Sequence, residues 1–202
     1  MAWRSFDAFA LTSSTDMRRI PTRLDGLVLL EPAVHGDERG FFMETYREDA
    51  WSSHGVPTAF VQDNHSRSRR GTVRGIHFQT HPGQGKLVRC ARGSVLDVVV
   101  DLRRGSSTFG EWESFELDDV HGHQLWIPVG FGHGFCVLSE TADFVYKCTA
   151  YYDPETEAGI RFDDPDVGVT WPDEMELLYS ERDRDAPRRS EVADSLPFRY
   201  DG

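Results

Sequence analysis

From Leu27 onward the chain carries short runs of apolar or alternating apolar and polar residues, separated by Gly, Pro and Asp. Alternation with a period of two puts successive side chains on opposite faces of a strand. Strands are therefore predicted from Leu27 to Leu30, Gly40 to Met43, Ala59 to Gln62 and Val73 to Phe78. Further strands are predicted from Lys86 to Ala91, Val95 to Leu102, Trp112 to Leu117, His123 to Ile127, Gly134 to Leu138 and Ala142 to Thr149. Gly36-Asp37-Glu38-Arg39 reads as a turn, and Arg92-Gly93 between two strand runs reads as a tight hairpin. The stretch from Asp49 to His54 has room for a short helix before Gly55, and Asp173 to Tyr179 is a second helical candidate. Many short strands with this punctuation point to an antiparallel sandwich or barrel with few helices. The tail holding Pro187 and Pro197 is expected to pack loosely.

Composition narrows the class. The 202 residues suit one domain, and 12% aromatic residues supply a core without staples. A net charge of −12 argues against a nucleic-acid partner. It leaves room for an anionic ligand, because a few convergent Arg and Lys side chains dominate one cleft. Three widely spaced cysteines, Cys90, Cys136 and Cys148, form no disulfide framework or zinc module and read as reduced buried thiols. No apolar run reaches the ~20 residues of a membrane span. The N-terminus has no continuous apolar stretch of the secretory kind. A cytoplasmic location is expected, with residues 1–19 as an extension, 20–187 as the domain and 188–202 as a tail.

The chemistry concentrates in two spaced segments. The first runs from Gly71 through His77 and Lys86 to Gly93. The second runs from Gly122 through Pro128-Val129-Gly130 to His133. This two-part spacing resembles the cupins, which implies an all-β jelly-roll barrel (a double-stranded β-helix) with short peripheral helices. A metal cupin would place its ligands at four positions that here hold His77, Gln79, Lys86 and His133. Two imidazoles, an amide and an ammonium make a poor divalent-metal site, so no metal is expected. Residues two apart on a strand share a face, so His77 and Gln79 are expected to point into one cavity. A neutral His is a general base near neutral pH, and a nearby Lys stabilises an oxyanion. Together they suit abstraction of a proton beside a carbonyl. Return of a proton from the other face needs an acid, and a Tyr hydroxyl is suitable. Tyr146 is one candidate among six tyrosines. His65, His81, His121 and His123 read as surface or structural, and Trp112, Trp126 and Trp171 as core.

Ordered motifs over residues 20–187 extend the likeness. They include GDERGFF from Gly36, FVQDNHS from Phe60, VRGIHFQ from Val73 and QGKLVRCARG from Gln84. DVVVDLRRGSSTFGEW from Asp97, QLWIPVGFGHGF from Gln124, YKCTAYYDPE from Tyr146 and SERDRDAP from Ser180 follow. The chain resembles the dTDP-4-dehydrorhamnose 3,5-epimerases. The resemblance implies a cofactor-independent isomerase that deprotonates and reprotonates a dTDP-4-keto-6-deoxy sugar beside its ketone. It implies His77 as base, Asp183 as its dyad partner, Lys86 as stabiliser of the enolate and Tyr146 as opposite-face acid. His133 would contact the sugar, and Asp97 would hold Lys86. Arg39, Glu44, Gln62, Asn64, Arg74, Glu157 and Arg182 fall at substrate-contact positions, and Tyr152 at the position that stacks on thymine. The family usually has Lys where this chain has Arg182, which changes the contact geometry. A homodimer with strand exchange is implied. Arg74 and His77 are three apart and would face opposite sides of a regular strand, so either a bulge intervenes or Arg74 serves a neighbouring subunit. Rival readings are a single C3 or C5 epimerase, a ketoisomerase, a metal-dependent cupin and a sugar-nucleotide binding protein.

Overall fold

The computed structural model describes residues 17–200. Most of the expected extension, residues 1–16, lies outside the described residues. The chain begins with β1 (Arg18–Ile20) and β2 (Val28–Glu31), then a hairpin of β3 (Val34–Asp37) and β4 (Gly40–Met43), and α1 (Glu48–Ser53). β5 (Gln62–Arg69), β6 (Val73–Gln79), β7 (Lys86–Arg92) and β8 (Ser94–Asp101) follow. Next come β9 (Trp112–Asp118), β10 (Gln124–Ile127), β11 (Phe131–Val137), β12 (Thr141–Cys148) and β13 (Glu157–Gly159). Two short helices, α2 (Glu181–Arg184) and α3 (Arg189–Val192), and a 3-10 turn at Ala193–Ser195 close the chain.

The strands form two antiparallel sheets, ordered β1-β2-β10-β7-β12-β5 and β13-β6-β11-β8-β9, with β3-β4 as a separate ribbon. The fold is all-β, as the strand pattern implies. Between the sheets lies an apolar core in which Val88, Leu125 and Phe144 of the first sheet meet Val95, Val99, Phe131 and Phe135 of the second. Alternation on β8 shows how one strand serves two cores. Val95 and Val99 face the inner core, while Val98 and Val100 face an outer one containing Ile76 and Phe78. Trp51 of α1 covers the far face of the first sheet with Val28, Leu30, Leu87 and Trp126. Cys90, Cys136 and Cys148 are buried free thiols, and burial pushes the Cys90 thiol up to about 12.

Four local expectations change. The run from Ala59 to Gln62 is not a strand of its own, and the strand here, β5, spans Gln62–Arg69. Its sequence QDNHSRSR has no apolar face to reveal it. Arg92-Gly93 does not close a hairpin, because β7 and β8 belong to different sheets and the turn carries the chain from one layer to the other. The stretch from Asp173 to Tyr179 is an extended strap rather than a helix. Leu178 N–H donates to Gly71 O at 2.8 Å and Val73 N–H to Leu178 O at 2.8 Å, so both backbone groups of Leu178 are satisfied across the strap. The tail is not loose: Leu196 and Phe198 are buried in the outer core with Ile76, Val98 and Val100.

Candidate active site

Near one end of the inter-sheet space the inward positions turn polar. On β12 the inward row passes from Phe144 to Tyr146, and on β7 from Val88 to Lys86. On β11 His133 stands between Phe131 and Phe135, and on β8 Asp97 stands between Val95 and Val99. The result is a cavity of about 500 Å³. Its walls include Arg74, His77, Lys86, His133, Tyr146, Arg182 and Asp183, together with Ser66, Phe135 and Phe144. His77, Arg182 and Asp183 also line an adjoining cleft beside Glu157.

Arg74 and His77 reach the same cavity because β6 is irregular. His133 pairs with His77 and Phe135 with Arg74, so two steps along β11 match three along β6. The extra residue rotates Arg74 inward. Gly75 makes this possible, since a Cβ there would lie 2.5 Å from Gly134 Cα.

Two imidazole–carboxylate pairs meet here. His77 Nε2 lies 2.6 Å from Asp183 Oδ1. Asp183 is set by α2, whose N-cap Ser180 Oγ accepts from Asp183 N–H at 3.1 Å. Burial works to raise the Asp183 carboxyl, but the bond and charge of His77, Ser180 and Arg182 outweigh it and hold the carboxyl below the ordinary aspartate range. The ionised carboxylate accepts from Nε2–H and leaves the Nδ1 lone pair free. The second pair is His133 Nε2 and Asp97 Oδ2, at 2.8 Å. Asp97 is fully buried, and desolvation pushes its carboxyl up despite His133 and Lys86. Its Oδ1 has no partner among the described residues. Asp97 thus hydrogen-bonds His133, while its charge also acts on the neighbouring Lys86, as expected.

Lys86 projects into the cavity with no side-chain hydrogen bond among the described residues. Burial lowers its pKa, against the nearby Cys148, Glu157 and Asp97. Burial also raises the Tyr146 phenol, with Cys148 and Glu157 adding to it, so at neutral pH the hydroxyl keeps its proton. Gln79 does not join these groups. Its Oε1 accepts from Gln84 Nε2 at 3.1 Å and its Nε2 donates to Thr156 Oγ1 at 3.3 Å, which ties it to the loop after β12.

The remaining candidates divide into two groups. Gln62 Nε2 donates to Asn64 Oδ1 at 3.0 Å, and Gln62 Oε1 accepts from Tyr152 N–H at 2.9 Å. Tyr152 hydroxyl donates to Glu157 Oε2 at 2.8 Å, and Arg182 Nη1 lies 2.8 Å from the same oxygen. These contacts make one polar rim. Arg39 and Glu44 are not brought to this cavity within the chain. Arg39 pairs with Asp37 on the exposed β3-β4 ribbon, and Glu44 pairs with Arg47. Ser66 is a cavity residue that the strand pattern did not single out, because β5 lacks an apolar face. Among the described residues no group of three His, Cys, Asp or Glu side chains is placed to hold a metal ion.

The family model for dTDP-4-dehydrorhamnose 3,5-epimerase matches residues 21–191. The chain belongs to that family. It is 50% identical over 171 residues to a dTDP-4-dehydrorhamnose 3,5-epimerase of Methanothermobacter thermautotrophicus, covering 84% of this chain and 92% of the relative. It is 44% identical over 181 residues to a dTDP-4-dehydrorhamnose 3-epimerase of Streptomyces niveus, covering 89% of this chain and 87% of the relative. A crystal structure of the 3,5-epimerase RmlC from Legionella pneumophila, in complex with dTDP-4-keto-L-rhamnose, superposes with a TM-score of 0.88 at 44% identity. That match covers 92% of this chain and all of the other. Among the described residues no helix is long and apolar enough to cross a membrane.

Proposed function

We propose that the chain is a cofactor-independent isomerase that converts dTDP-4-dehydro-6-deoxy-D-glucose to dTDP-4-dehydro-L-rhamnose by inversion at C3 and C5. The observation that carries this reading is the opposition of His77, on the second sheet, and Tyr146, on the first, across one cavity that Lys86 also lines. The 4-ketone acidifies the hydrogens on C3 and C5. His77 Nδ1 removes one of them, and Asp183 supports the imidazolium that forms. The electron pair passes to the ketone oxygen, where the Lys86 ammonium donates a hydrogen bond to the enolate. Tyr146 then gives its proton to the carbon from the opposite face, which inverts the centre. His77 loses its proton and Tyr146 regains one before the second carbon reacts.

Arg74 and Arg182 suit the diphosphate, since a planar guanidinium bonds two oxygens at once. His133 contacts the sugar. Gln62, Asn64, Tyr152 and Glu157 hold the nucleoside end, with Tyr152 stacked on the base. Arg39 and Glu44 serve a second copy of the chain in a homodimer. The exposed β3-β4 ribbon, with Phe41 57% and Phe42 69% accessible, supports that exchange. The facing sheets are read as a cupin jelly roll over residues 20–187, and the location as cytoplasmic.

A single C3 inversion is the second reading, favoured by the likeness to the Streptomyces niveus 3-epimerase. Incubation with the 4-keto substrate, trapping by a 4-keto reductase and NMR of the product separates the two. dTDP-L-rhamnose is expected. A product inverted at C3 alone would establish the second reading, and unchanged substrate would refute both.

A further inference from the structure

β5 is the edge strand of the first sheet, and its inward face is a row of small polar side chains. Asn64 stands opposite Tyr146, Ser66 opposite Phe144 and Ser68 opposite Ala142. Directly opposed residues on antiparallel strands share a face, so this row belongs to the cavity side. Its hydroxyls are used unequally. Ser68 Oγ accepts from Arg74 Nε at 3.2 Å. That bond takes the inner nitrogen of the guanidinium and leaves both Nη groups without a side-chain hydrogen bond among the described residues. One pleat along, Ser66 lines the cavity, and its buried Oγ has no partner among the described residues. An unpartnered hydroxyl in such a place is a cost to the empty protein. Rotation about χ1 lets it turn toward a ligand in the cavity.

We infer that Ser66 is a further substrate-binding residue, whose hydroxyl donates to the diphosphate oxygen that Arg74 holds, while Ser68 positions the Arg74 fork. The inference rests on the reading of Arg74 as a diphosphate ligand. A phosphate oxygen is the acceptor that fits best. It accepts several donors at once, and a hydroxyl can join a guanidinium on it at the short distances of charge-assisted bonds. Ser66 thereby acts on the part of the substrate common to every sugar carried by this nucleotide.

Ser66→Ala tests this by calorimetric titration with dTDP, which has the diphosphate but no sugar. Its affinity is expected to fall about tenfold. KM for the 4-keto sugar should rise by a similar factor with kcat within about twofold of wild type, the pattern for an interaction held equally in ground and transition states. Ser66→Thr keeps a hydroxyl and is expected to restore most of the affinity. A purely structural serine would lower the melting temperature of the ligand-free protein. Here Ser66→Ala removes an unsatisfied hydroxyl, and that temperature is expected to hold or rise. Unchanged dTDP affinity, a loss confined to the sugar-bearing substrate, or a fall in ligand-free stability would each overturn the assignment. Wild-type protein that binds dTDP but exchanges no sugar protons would refute the epimerase reading and leave the Ser66 result to stand on its own.

Discussion

His77–Asp183 and His133–Asp97 are the same two side chains bonded in the same way, with both imidazoles on paired strands of one sheet, yet their surroundings differ. The His77 side chain is 26% accessible and its carboxylate is supported by the Ser180 hydroxyl and Arg182. The His133 side chain is 8% accessible and its carboxylate has none of its side chain exposed, with one oxygen unpartnered. His77, Ser180 and Arg182 together keep Asp183 ionised against its burial, and an ionised partner supports the imidazolium that forms on His77. Burial pushes Asp97 toward its neutral form, so the His133 pair is suited to holding a substrate group in place. Identical residue types thus receive different work from local dielectric and hydrogen bonding alone.

The largest test of that contrast is replacement of the imidazoles. His77→Asn is expected to cut turnover by roughly 10²–10⁴-fold with dTDP affinity retained. His133→Asn is expected to cost about tenfold, mostly in KM. Steady-state rates and dTDP titration measure both, and equal losses in kcat would erase the distinction. Tyr146→Phe sharpens the same picture from the other side of the cavity. Net inversion should fall about 10²-fold, while His77 still removes and returns a proton on its own face. Deuterium exchange without inversion is the expected signature, and loss of both together would mean that Tyr146 does not act as the opposite-face acid.

The smallest effect is on stability against pH, within about 1 kcal/mol for each pair. Asp183 has a lowered folded pKa. Its contribution is present above the ordinary aspartate value of 3.8 and is lost as pH falls through the folded value. Asp97 has a raised folded pKa, so its contribution is present below 3.8 and is lost as pH rises through the folded value. Urea midpoints taken from pH 3 to 7, roughly the range of carboxylate titration, measure this. Asp183→Asn should flatten the acid limb. Asp97→Asn should steepen that limb and not lower the neutral midpoint.

The strand alternation exposed the fold wherever one face was apolar. β8 was legible because Val95, Val99 and Val98, Val100 load both of its faces, and β4 because Phe41 and Phe42 stand in a short bounded run. β5 was hidden for the reason that makes it useful: its inward side chains are polar and form a wall of the site. The tail was misread because two prolines outweighed Leu196 and Phe198, which carry its packing. Within the site, the pairing of Asp97 with His133 was not legible, since spacing along the chain does not show which imidazole faces it across β8 and β11. The inward turn of Arg74 likewise depends on an irregularity in β6 that alternation cannot encode.

Proton abstraction by His77 is tested most simply by proton NMR of dTDP-4-dehydro-6-deoxy-D-glucose incubated with the protein in deuterated water. The C3 and C5 proton signals are expected to disappear with wild type and to persist with His77→Asn. Retention of both signals with folded wild-type protein that binds dTDP would contradict that role.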